Sequence, residues 1–155
     1  MKLDFAEILS LVHWSAMTMR WLIMLVALVG LTAAVLARKE HYRTDTSPCS
    51  INEKWDCGTV NKSQYAIFGG VLVANIGIAG YLLLAALAFK KWWPLLAAAS
   101  AAGLAFSLYL AHIEKDVLYV WCIYCVISLC SISLITLFSL GTLITNAVRK
   151  PRPAQ

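Results

Sequence analysis

Four uncharged apolar runs, residues 21–37, 66–89, 92–111 and 117–147, occupy most of this 155-residue chain. Runs of this kind leave few options. In lipid, every backbone N–H and C=O must be paired within the protein, so a spanning segment is a helix or a strand of a closed barrel. Barrel strands alternate apolar and polar residues, and these runs do not. About 20 helical residues at a rise of about 1.5 Å each cross the hydrocarbon layer. The composition agrees, with 61% hydrophobic residues, 14% charged residues and a mean hydropathy of +0.73; a soluble domain averages about 45–50% apolar and about 25% charged. The expected fold is an all-α membrane protein. It is a four-transmembrane-helix bundle in one domain over residues 1–155, with spans near 16–37, 66–89, 92–112 and 117–147. The first uncharged run is short, so its helix should begin before Arg20, with that side chain snorkelling towards the headgroups.

Charge placement predicts the orientation. Lys90-Lys91 joins the second and third spans, and Arg149, Lys150 and Arg152 follow the fourth. Cytoplasmic loops are rich in Lys and Arg, which puts both termini in the cytoplasm. Loop 38–63 and turn 112–116 then lie outside. The loop carries five Lys/Arg, against the rule, although four Asp/Glu offset them in net charge. The net charge of +5 is confined to loops and tails, and no basic stripe with interleaved aromatics points to nucleic acid. Residues 1–19 fit an interfacial amphipathic helix; with Asp4 and Glu7 they do not resemble a short basic leader that is cleaved. Gly77-Ile-Ala-Gly80 reads as a small-residue packing face.

The expected outer loop carries Cys49 and Cys57, and the last span opens on Cys122 and Cys125. Two dithiols on one side of a bilayer can pass electrons by disulfide exchange. Cys122 and Cys125 are three residues apart, which puts them on one face of a helix. A cysteine at a helix N-terminus is biased towards thiolate, the attacking species in exchange. Other readings stay open. The C-x-x-C pair fits two small buried hydrophobes, the loop pair fits a structural disulfide, and four cysteines match the ligand count of a zinc site. Cys130 reads as a buried core residue. His41 and His112 read as interfacial loop residues.

Three features of the chain resemble the vitamin K epoxide reductase family: the loop pair Cys49 and Cys57 followed by Ser63, the segment Tyr65-Ala-Ile-Phe-Gly, and Trp121-Cys-Ile-Tyr-Cys125. Cysteine order separates this family from the Dsb-type membrane oxidases, in which the C-x-x-C comes first. The resemblance implies a four-helix bundle around a quinone pocket. By similarity, Cys122 and Cys125 form the active-site disulfide, with Cys125 nearest the ring. Cys49 and Cys57 form the shuttle pair, Cys49 meeting the partner and Cys57 passing electrons to Cys122. Ser63 and Tyr65 match positions near the pocket, where a hydroxyl can donate to a quinone carbonyl.

That similarity implies a bacterial inner-membrane enzyme with both cysteine pairs on the periplasmic side. It takes electrons from a separate thioredoxin-like (DsbA-like) protein and passes them to ubiquinone, menaquinone or a related quinone. Animal enzymes carry a tyrosine where this chain has Leu129, and a longer segment after the position of Ser63. Both differences favour quinone over epoxide as substrate. Vitamin K quinone or epoxide reduction is the second reading, and a non-catalytic membrane scaffold with structural disulfides or zinc is the third.

Overall fold

Helix α1 (Phe5–Tyr42) carries the first apolar run without a break. The structure is a computed structural model that describes the backbone of residues 5–149 and the side chains of residues 18–147. Residues 1–19 fit an interfacial amphipathic helix by sequence; the described backbone of residues 5–19 is the first part of α1. Residues 1–4 and most of the basic tail, Lys150 and Arg152 included, lie outside the described residues. After α1 come a short helix α2 (Cys57–Lys62), a 3-10 turn (Gln64–Ala66) and a hairpin of β1 (Ile67–Phe68) and β2 (Val71–Leu72). Then follow α3 (Val73–Phe89), α4 (Trp93–Ile113), a π-helical turn (Glu114–Leu118) and α5 (Ile123–Arg149).

Among the described residues, three helical segments are long and apolar enough to cross a membrane: Thr18–Tyr42, Trp93–Leu118 and Ile123–Ala147. The chain is a helical membrane protein. Its outward face carries Leu25, Leu28, Leu82, Leu137 and Ile144, each more than half exposed. Lipid, not water, suits such a surface.

The second apolar run departs from expectation. It was expected to be helical from residue 66, yet α3 begins at Val73 and has 17 residues, about 25 Å of helix. The six residues before it form an antiparallel hairpin that pairs Ile67 with Leu72 and Phe68 with Val71. Gly69 and Gly70 at its tip have φ of +58° and +82°. That left-handed pair defines a tight hairpin turn and ends any helix there. The fourth run differs in the same way: Val117 lies in the π-helical turn, and α5 starts at Ile123. Helix α4 begins as expected, with Pro94 in its first turn.

Helix α1 packs along α3 and α5, α5 packs along α4, and α3 meets α4, which closes a four-helix bundle. Ile23, Ala27, Tyr81, Leu84, Leu96 and Ile135 meet in its core. Lipid tails are as apolar as leucine, so close packing and hydrogen bonds hold such helices together more than burial does. Gly30 lets the Tyr81 ring lie directly on α1, where a Cβ would overlap it. The Tyr81 hydroxyl donates to Ser128 O at 2.8 Å, tying α3 to α5. Ser100 and Ser139 hydroxyls meet at 3.2 Å between α4 and α5, a bond of about 0.6 kcal/mol in this setting. Gly77 packs on α1 as expected: its Cβ would stand 3.3 Å from that of Ala34. At the end away from the cysteines, Arg20 stacks over Trp21 at 5.3 Å and Phe89 at 6.0 Å.

Candidate functional site

Cys49 and Cys57 form a disulfide with their Cα atoms 5.5 Å apart. The segment around them is built from local polar bonds. Asp56 caps α2: its Oδ1 accepts from Gly58 N at 2.9 Å and Thr59 N at 3.2 Å. It also accepts from Ser50 Oγ at 2.6 Å, while Oδ2 accepts from Thr59 Oγ1 at 2.7 Å. The Ser50 and Thr59 hydroxyls hold the Asp56 carboxyl below the ordinary carboxylate value. Asn52 Oδ1 accepts from the backbone of Lys54 and Trp55, turning the chain between the two cysteines.

A short parallel bridge then brings this segment to the start of α5. Trp121 N donates to Lys54 O at 2.8 Å, and Asp56 N donates to Trp121 O at 3.1 Å. The Trp55 and Trp121 rings lie 6.5 Å apart alongside. The bridge puts the residue after Asp56, Cys57, against the residue after Trp121, Cys122. Both are fully buried, in one cluster with Cys49 and Val60, and Cys125 packs against it.

Cys122 is the N-cap of α5: its carbonyl accepts the first helical bond, from Val126 N at 3.0 Å. Its sulfur sits where a capping oxygen normally does. It accepts from the Cys125 thiol, from the Cys125 backbone N–H, and from Asn61 Nδ2 at 3.4 Å. These bonds, led by the Cys125 thiol, hold the Cys122 thiol below its ordinary value. Asn61 also donates to Cys57 O at 2.9 Å, so one carboxamide touches both cysteine segments. His41 Nδ1 donates to Asn61 O at 2.6 Å and ties α2 to α1.

Glu114 reaches the same place from the end of α4. The π-helical turn and Tyr119, in the left-handed region at φ +57°, fold the chain back so that Val120 N donates to Glu114 O at 3.2 Å. The Glu114 side chain is thereby buried, 3% exposed. Its Oε2 accepts from Cys122 N at 3.0 Å, and its carboxyl lies beside the Cys125 thiol.

Between the four long helices lies a cavity of about 210 Å³. Its walls are mostly apolar, with Ala34, Gly77, Gly80 and Leu129 among them, and Cys125 and Glu114 line it too. Gly80 thus shapes the cavity rather than a helix contact; nothing lies within 4 Å of where its Cβ would be. A smaller pocket of about 40 Å³ shares Cys125, Glu114 and Asn61 with the first.

The four expected cysteines therefore gather in one place. Ser63 and Tyr65 border the smaller pocket, not the larger cavity. Ser63 Oγ donates to Val60 O at 2.8 Å, which commits its proton to the end of α2. Cys130 corrects its expectation as a core residue: its side chain is exposed on the lipid-facing side of α5. The bridge between Cys49 and Cys57 removes two of the four thiolates that a zinc site would need. His112 pairs with Asp116 at 2.6 Å on an exposed surface. Asn61, Glu114 and Tyr81 carried no expectation. The folding back of α2 and the π-helical turn bury Asn61 and Glu114.

A membrane helical bundle that sets a disulfide beside a second cysteine pair, at the wall of an apolar cavity, has the make-up of a membrane redox protein. The Vitamin K epoxide reductase family model matches residues 21–140, and the chain belongs to that family of oxidoreductases. No curated protein sequence matches the chain significantly.

Proposed function

We propose that this protein is a thiol–quinone oxidoreductase that generates disulfides. The observation that carries the reading is the burial of Cys57 and Cys122 in one cluster, while Cys125 lines the apolar cavity. A reduced thioredoxin-like protein gives two electrons to the Cys49–Cys57 disulfide and leaves oxidised. Exchange moves the electrons to Cys122–Cys125, and a membrane quinone accepts them with two protons. Each exchange step breaks one S–S bond and forms one, and the Cys122 thiolate is the attacking or leaving group at the internal step.

The residues present fit a quinone. The cavity is mostly apolar, as a ring and isoprenoid tail need, and Glu114 and Asn61 join the Cys125 thiol in its wall. Leu129 in the cavity wall offers no hydroxyl where animal relatives carry a tyrosine, which favours quinone over epoxide. Ser63 and Tyr65 face the reacting end from the smaller pocket. Helix α3 is the fourth span. Arg20 and the Lys90-Lys91 turn gather at the end opposite the cysteines, which supports cytoplasmic termini and periplasmic cysteines in a bacterial inner membrane.

The test uses purified protein, a reduced thioredoxin-like protein and a soluble quinone. Quinone reduction should vanish in Cys122→Ala and Cys125→Ala. Cys49→Ala should lose activity with protein thiols and keep it with dithiothreitol. Activity that survives loss of Cys125 would sink the proposal.

A further inference from the structure

One carboxyl lines both cavities. Among the described residues that border either of them, Glu114 is the only acidic side chain, and no lysine, arginine or histidine joins it. The other ionisable groups there are Cys125 and Tyr124 from α5, Tyr81 from α3 and Tyr65 from the 3-10 turn. Helix α1 brings no ionisable group to either wall. On Glu114's own stretch of chain, His112, Lys115 and Asp116 are exposed. A buried carboxylate is costly without hydrogen bonds. Its donor is the Cys122 N–H at 3.0 Å. Capping the start of α5 accounts for that bond, and an amide oxygen would serve as well. It does not account for the Cys125 thiol, which shares both cavity walls with the carboxyl. A carboxylate beside a thiol, in the wall of an apolar cavity, is placed to take that thiol's proton.

We infer, resting on the quinone reading of the cavity, that Glu114 is a catalytic residue that carries a proton from Cys125 to the quinone. Oxidation of the reduced pair breaks two S–H bonds, forms the Cys122–Cys125 S–S bond and delivers two electrons and two protons to give hydroquinone. The Cys125 proton passes to the Glu114 carboxylate, then from its carboxyl to the quinone oxygen facing it. Cys122 releases its proton to water as its thiolate forms, and the second quinone oxygen takes one proton from water. Glu114 ends ionised, as it began. The alternative is a purely structural cap, in which the carboxyl positions α5 and exchanges no proton.

The two roles separate in Glu114→Gln, which keeps an oxygen for the Cys122 N–H and cannot take the Cys125 proton. Three measurements are made on the full chain in detergent: exchange between the two cysteine pairs, quinone reduction by dithiothreitol, and the redox-difference infrared spectrum. The expected result is exchange within twofold of wild type and quinone reduction slower by on the order of 10²-fold, with the acidic limb of its pH profile lost. A redox-linked S–H band should appear in wild type, because oxidation removes the thiol, and it should shift in Glu114→Gln, where an amide replaces the carboxylate beside it. Glu114→Asp should recover part of the rate. Quinone reduction in Glu114→Gln within twofold of wild type, equal slowing of both steps, or an S–H band unmoved in Glu114→Gln overturns the inference alone. A wild-type protein whose pairs exchange but that reduces no quinone overturns the functional reading, and this inference with it.

Discussion

The Asn61 carboxamide donates to the Cys122 sulfur at 3.4 Å while the same nitrogen donates to the carbonyl of Cys57 at 2.9 Å. One side chain thus couples the position of one cysteine pair to the charge state of the other. Asn61→Leu keeps the volume and removes the donor. A hydrogen bond to a charged group contributes about 1.5–3 kcal/mol, so exchange between the pairs should slow by roughly ten- to hundredfold. The Cys122 thiol is depressed in the native site, and losing a donor raises it. The rate–pH curve for exchange should therefore move to higher pH in Asn61→Leu. Stopped-flow thiol trapping across a pH series measures both effects; an unmoved curve would refute the role.

The Asp56 cap predicts a stability that depends on acid. Its carboxyl is depressed in the folded chain. The contribution is therefore complete above the ordinary carboxylate value of about 3.9 and is lost as pH falls through the lower folded value. Asp56→Ala should destabilise the segment around the disulfide by about 1 kcal/mol at neutral pH, and the difference from wild type should shrink on acidification. Hydrogen exchange of the Gly58 and Thr59 amides at several pH values reads this directly.

Gly30 and Tyr81 predict a packing defect with a functional echo. A methyl at Gly30 would overlap a ring that Ser128 holds in place. Gly30→Ala should cost about 1–3 kcal/mol, read as a lower unfolding midpoint in detergent. Tyr81 also borders the cavity, so on the proposed function the KM for quinone should rise more than kcat falls.

The hairpin tip predicts a purely conformational cost. Nothing lies within 4 Å of where a Cβ would sit on Gly69 or Gly70, so alanine there clashes with no neighbour. Left-handed backbone still costs an alanine about 1 kcal/mol. Each single substitution should lower stability by about that amount without altering the thiol chemistry, and thermal unfolding beside a thiol-exchange assay checks the pair of outcomes.

How far the sequence could be read depended on what each residue needed. Long uncharged runs announce helices on their own, and the order of the cysteines pointed to the family. Cys130 was misread although a signal was available: five residues past Cys125 is about 140° around a helix, far from the face that carries the pair. The Ile67–Leu72 segment also held its own signal, two glycines between two apolar pairs, which the surrounding hydrophobicity masked. Glu114 had no local signal. Its burial depends on the π-helical turn, on Tyr119 in the left-handed region and on the cysteine loop packing over both. Asn61 likewise gains its role only when the Trp55–Trp121 bridge sets Cys57 beside Cys122.

The lipid-facing placement of Cys130 gives the molecule an arithmetic. Of five cysteines, one has no partner within the cluster, and each internal bridge removes thiols two at a time. Alkylation of any state closed within the chain must therefore yield an odd number of labels. An even number means that one sulfur is held by another molecule. In a mass spectrum, parity alone separates a chain caught in a mixed disulfide with another thiol from every form closed within itself.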